Sequence, residues 1–220
     1  MPDSSFERAA QRKGFEIVAG VDEVGRGPWA GPVYAAAAII DTRALARSGL
    51  TSLDDSKKLS AARREDLFDR LSASAILGIG SCSVAEIDRL NIFQATMLAM
   101  QRAVAALPVA PHYALVDGNK APDLACPCET IIEGDARSYS IAAASIVAKV
   151  TRDRVMVELA KSFPFYAWES NKGYGTAAHR AGLDRYGVSE HHRRSFAPIS
   201  HRLSRTAPDP RDIDAPTPPK

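Results

Sequence analysis

The chain has 220 residues, 45% of them apolar, with 28 lysines and arginines against 26 aspartates and glutamates for a net charge of +2. That length fits one well-buried domain with short extensions, and the near-neutral balance excludes a uniformly basic coat, so any surface for nucleic acid has to be local. No run approaches the ~18 residues of a membrane span, Met1–Gly14 lacks an apolar signal core, and three cysteines without zinc-site spacing (Cys82, Cys126, Cys128) read as free thiols, so the expectation is a cytoplasmic protein.

Residues 1–14 form a short lead with a frayed helix. The apolar run Ile17–Val21 then fits a strand buried on both faces, and Asp22 and Glu23 follow it directly. Neighbouring side chains on a flat strand point to opposite faces, so these two acids can share a site only where the strand bends or stops. The glycines of Gly25-Arg26-Gly27 make such a break plausible and let the backbone approach another molecule closely. The competing reading is a hairpin turn made soluble by its charges.

Val33–Ile40 is a second strand, joined to the first by a Gly/Pro-rich loop as a hairpin. In Asp54-Asp55-Ser56-Lys57-Lys58-Leu59-Ser60, Ser60 can cap a helix through about Arg70. Ser74–Ser83 is a third strand. Helices follow over 84–90 and 93–107, the second with Met97, Met100, Val104 and Leu107 at core spacing. His112–Val116 is a fourth strand ending in Asp117-Gly118-Asn119, strong turn chemistry. Glu129–Glu133 is a fifth, and Gly134-Asp135 precedes a long helix over about 138–163. Its small side chains (Ile141 to Ala148) allow close approach to a sheet, and Lys149, Arg152 and Arg154 are candidates for an exposed basic side. A further helix spans about 177–186. His191 to Phe196 is either a phosphate-facing segment or a solvated helix end. From Thr206 to Lys220 the Pro- and Asp-rich sequence has little to bury and is expected to be disordered.

Asp22, Glu23, Asp117 and Asp135 thus all lie at a strand end or just before a helix, where open sheets place their ligand crevices. Four unneutralised acids gathered there would repel, which favours a multivalent cation. Oxygen-only ligands suit magnesium or manganese better than zinc, and that chemistry points to phosphodiester hydrolysis.

Six blocks in order, GVDEVGRGPWAGPV, DSKKLS, VDGN, EGDARSYSIAAASIVAKVTRD, NKGYGT and HRRSFAP, resemble ribonuclease HII, the type 2 ribonuclease H family, from Gly20 to Pro198. The resemblance implies an α/β ribonuclease H-like fold: a mixed five-stranded sheet flanked by helices, with a helical C-terminal part. It implies one catalytic domain over 15–205, with 1–14 as lead and 206–220 as tail. Carried over residue by residue, catalysis and metal binding fall on Asp22, Glu23, Asp117 and Asp135. Substrate reading falls on Gly25, Arg26, Gly27 and Tyr174, with Ser56, Lys57 and Lys149 as further contacts.

The implied activity is two-metal hydrolysis, with Mg2+ or Mn2+, of RNA in RNA/DNA hybrids and on the 5′ side of single ribonucleotides in duplex DNA, leaving a 3′-hydroxyl and a 5′-phosphate. A monomer keeps such a groove open, and no membrane partner is implied. The nearest enzyme rival is ribonuclease HIII, whose added N-terminal domain would not fit in residues 1–14. The non-enzymatic rival is a hybrid-binding protein, which predicts a missing acid where none is missing. The placement of Glu133 and the role of His191 stay open.

Overall fold

The computed structural model describes residues 2–54, 56 and 58–206, with the side chains of Ala46, Arg205 and Thr206 undescribed. Lys57, and residues 207–220 of the expected tail, lie outside the described residues.

Among the described residues one five-stranded sheet forms in the order β3-β2-β1-β4-β5. Strands β1 (Val18–Val24), β2 (Val33–Ile39) and β3 (Ile76–Cys82) make an antiparallel meander, while β4 (Tyr113–Asp117) and β5 (Cys128–Ile131) run parallel to β1. The mixed sheet expected from the sequence is therefore present. Both faces are covered. Helix α5 (Ile92–Ala105) packs Ala95, Ala99, Met100 and Ala103 against Ala19, Val21, Ala35 and Ala37 of β1 and β2. On the other face, α6 (Tyr139–Ser162) lays its alanines over Ala36 and Ala38, together with Leu67 and Leu71 of α3 (Ala61–Ser74). The alanine-rich β2 keeps both helices close to the sheet.

Local signals agree with these bounds. Ser60 Oγ accepts from the Arg63 amide to start α3. Ser83 and Glu86 form a reciprocal capping box on α4 (Val84–Leu90). The lead is not frayed: α1 (Ser5–Arg12) docks, and its buried Glu7 accepts from the Ser138 hydroxyl and the Ser140 amide at the start of α6. A short helix, α2 (Leu45–Ser48), precedes α3.

Beyond α6 come a 3-10 turn (Pro164–Tyr166), α7 (Trp168–Asn171), α8 (Ala177–Tyr186) and α9 (Ala197–Thr206). Tyr166, Trp168, Leu183 and Ile199 build a separate small core that includes Ala30 from the β1–β2 loop. That shared residue joins the loop after β1 to the C-terminal helices. The three cysteines are free, and among the described residues no helix is long and apolar enough to cross a membrane.

Candidate active site

The acids gather where β1 outruns β4. Pairing of β1 with β4 ends at Val21 opposite Val116, whereas the β1–β2 ladder continues through Asp22, Glu23 and Val24. The strand therefore does not stop after Val21, which removes one of the two expected routes, a stop or a bend, and its pairing with β2 shows no break. What changes is the other edge. Past the last β4 pair, Asp22 turns its carboxylate back so that Oδ1 accepts from the Glu23 amide at 2.7 Å. One oxygen each from Asp22, Glu23 and Asp117 then lie within 4.8 Å of one another.

Asp117 ends β4, and its Oδ1 accepts from the Gly134 amide at 2.7 Å, which ties the β4 end to the 3-10 turn Gly134–Ala136. Asp135 follows in that turn and is buried, but it is not among the three acids that converge. Burial first, then the charges of Glu23 and Asp117, pushes Asp22 well above the ordinary carboxylate range. Burial also raises Glu23, against the opposing pull of Arg26, whose Nη1 lies 3.5 Å from Glu23 Oε1. Crowded acids held at raised pKa are groups that a cation would relieve, and an all-carboxylate set suits a hard divalent ion. The residues present fit such a metal.

Beside the acids lies the Gly25–Pro32 loop. Arg26 and Gly27 are exposed, and a β-carbon at Gly27 would sit 3.4 Å from the Tyr174 ring, itself 47% exposed. Gly173 (φ +87°) and Gly175 flank that tyrosine, and β-carbons there would strike the Ala30 carbonyl oxygen at 2.5 Å and the Trp29 ring at 2.2 Å. Only glycines let the two loops lie this close.

Two guanidiniums hold the loop from beneath. Arg152 donates to the carbonyls of Ala30, Pro32 and Lys172, and Arg193 to those of Gly25, Arg26 and Gly31. Both are fully buried. Arg152 is thus no part of an exposed basic side, and His191 to Phe196 is neither phosphate-facing nor a solvated end at its centre, because His192 and Arg193 are inside. Burial lowers Arg152 to about 10 and Arg193 to about 9, still charged at neutral pH. Charge in a sequence reads as solvent exposure, so neither clamp was visible beforehand. The one signal is Phe196, three residues after Arg193 within the basic run.

The remaining candidates are dispersed. Ser56 is buried and bonded through Oγ to Ser145 Oγ at 2.9 Å, and the Ser145 hydroxyl in turn opposes, in smaller part, the rise of the Asp22 pKa. Ser56 thus sits behind the acids rather than on the surface. Lys149 pairs with Asp153 at 2.7 Å and is largely covered. Glu133 is exposed at φ 54°, and His191 packs edge-on against Phe163.

The family model described as Ribonuclease HII matches residues 19–199. A ribonuclease HII of Rhodospirillum rubrum is 56% identical over 209 residues, covering 94% of each chain. Among solved structures, the ribonuclease H2 of Pyrococcus horikoshii OT3 superposes with a TM-score of 0.74 at 27% identity, covering 86% of this chain and 98% of that one. Bst-RNase HIII in complex with Mn2+ gives 0.73 at 18% identity, covering 90% and 73%, a likeness of fold alone.

Proposed function

The chain belongs to the ribonuclease HII family, a ribonuclease H endonuclease acting on RNA in RNA/DNA hybrids, and on that premise we propose that Asp22, Glu23, Asp117 and Asp135 are its catalytic acids. The observation that carries this reading is the convergence of three carboxylates within 4.8 Å beside the Gly25–Gly27 loop, of which Arg26 and Gly27 are exposed. Residues 15–205 act as one catalytic unit, and the protein works as a monomer.

The four acids would hold Mg2+ or Mn2+, and a bound pair of such ions would supply activation of an attacking water and stabilisation of the departing oxygen. The chain's own residues supply position. Backbone groups of Gly25 to Gly27 bond the 2′-hydroxyl, the feature that separates RNA from DNA at a given sugar. The exposed Arg26 guanidinium takes a phosphate, which fixes register without reading sequence. Tyr174 lays its ring against the next sugar and favours a deoxyribose there by shape. The resemblance to ribonuclease HII implies cleavage on the 5′ side of a lone ribonucleotide, leaving a 3′-hydroxyl and a 5′-phosphate. Lys149 and Lys57 contribute phosphate contacts, and Ser56 supports Asp22 through Ser145.

The test is a labelled DNA duplex carrying one ribonucleotide, incubated with the protein and Mg2+ or Mn2+. A single nick 5′ of the ribonucleotide is expected. Binding without any nick would overturn the catalytic reading.

A further inference from the structure

The buried pair His192–Arg193 touches both of the loops to which substrate reading has just been given. Arg193 Nη2 donates to the Gly25 carbonyl at 2.6 Å and Nη1 to that of Arg26 at 3.0 Å, while its own amide donates to Trp29 at 2.8 Å. Those carbonyls are held inward.

His192 reaches the other loop through a second imidazole. Its Nε2 lies 2.9 Å from His179 Nε2, and His179 Nδ1 lies 3.0 Å from the Tyr174 carbonyl oxygen. The proton positions follow from the neighbours. The Ser189 amide can only donate, and it points at His192 Nδ1 (3.0 Å), so the proton of neutral His192 is on Nε2. The Trp168 indole N–H can also only donate, and it points at His179 Nε2 (3.3 Å), so the proton of His179 is on Nδ1. Both assignments agree: His192 and Trp168 share the one Nε2 lone pair of His179, with His192 the nearer donor at 2.9 Å, and His179 donates to Tyr174. Burial keeps both rings neutral, with His192 lowered to about 3 by burial and then by His179.

We infer that His192–Arg193 is a specificity-setting brace, fixing the Gly25–Gly27 loop through Arg193 and the Tyr174 backbone through His192 and His179, so that the two readers keep one spacing. The inference rests on the reading of Tyr174 and Gly25–Gly27 as substrate contacts. These are positioning residues: none touches the substrate. The relay matters most where the sugar changes from ribose to deoxyribose, because Tyr174 has a junction to read there and has none inside a long hybrid.

The readout is the cleavage rate on a single-ribonucleotide duplex divided by that on a continuous RNA/DNA hybrid. His192→Asn keeps an acceptor for Ser189 but cannot reach His179, and it should lower the ratio about tenfold, as a small misplacement of a reading group does. His192→Gln keeps a donor where Nε2 was and should restore the ratio. If His192→Asn does not fold, His179→Gln severs the relay at the Tyr174 end alone and should lower the ratio likewise.

Equal losses on both substrates, or a ratio unmoved by either relay variant, would overturn the brace while Tyr174→Ala still moves the ratio. If Tyr174→Ala leaves the ratio unchanged, the reading of Tyr174 itself fails and the brace falls with it. In the double variant with Tyr174→Ala, His192→Asn should lower the ratio no further, since coupled groups do not add; an additive loss would also overturn the relay.

Discussion

A β-carbon placed on Gly20 would lie 2.1 Å from the carbonyl carbon of Ser140, so α6 rests directly on the backbone of β1 two residues before Asp22. This contact sets the depth of the helix start over the acids. Gly20→Ala has backbone rather than a yielding side chain to push against, and overpacking of this kind costs about 3 kcal/mol. Urea unfolding should show that loss, with cleavage falling as the helix start is displaced. A loss under about 0.5 kcal/mol would mean that the helix shifts freely.

Glu7 secures the same helix start from the other side. Its Oε1 accepts from Ser138 Oγ (2.7 Å), Ser140 N (2.9 Å) and Ser140 Oγ (2.7 Å). A carboxylate at a helix N-terminus satisfies free amides and meets the positive end of the dipole. Glu7→Ala removes three acceptor contacts inside the protein and should cost about 2 kcal/mol. Because the group is buried, the loss should change little with added salt.

The acids themselves should oppose folding when no cation is present. Asp22 is pushed above its ordinary value, so between that value and its folded pKa the folded state holds a proton that the unfolded chain has released. Stability of the metal-free protein therefore falls as pH rises through that window. Asp22→Asn has no carboxylate to ionise. It should melt higher than the wild type near neutral pH in EDTA, respond less to added Mg2+, and lose cleavage by more than about a hundredfold. A lower melting temperature in EDTA would contradict the strain assigned to these acids.

Apolar runs and turn chemistry sufficed to read the sheet in the sequence, because buried strands need continuous apolar stretches whatever their neighbours. The end of β1 was misread at Val21: Asp22 and Glu23 end the apolar run, but the backbone pairing to Ala36 and Ala35 of β2 continues regardless of side chain. The convergence of Asp22, Glu23 and Asp117 follows from which strands are adjacent, and the strand-end pattern anticipated it. Burial of Arg152, Arg193, His179 and His192 could not be read, because their partners are backbone carbonyls or rings distant in sequence. Helices α7 and α9 are likewise defined by the small core around Trp168 and Ile199 rather than by periodicity of their own.

Arg152 offers the sharpest test of the buried clamps. Its three donors meet the carbonyls of Pro32, Lys172 and Ala30, joining the β1–β2 loop to the segment that carries Tyr174. Arg152→Met fills much of the same volume but leaves those carbonyls without a donor in a closed space, which should cost roughly 3 kcal/mol. Arg152→Lys keeps the charge yet can meet the three carbonyls only from one nitrogen, so it should recover part of that loss and not all of it. If the lysine variant is as stable as the wild type, charge alone suffices. If the methionine variant is as stable, water reaches the carbonyls and the guanidinium is dispensable. The expected order of urea midpoints is arginine, then lysine, then methionine, with hybrid cleavage falling in the same order because the acids share β1 with the loop that Arg152 holds.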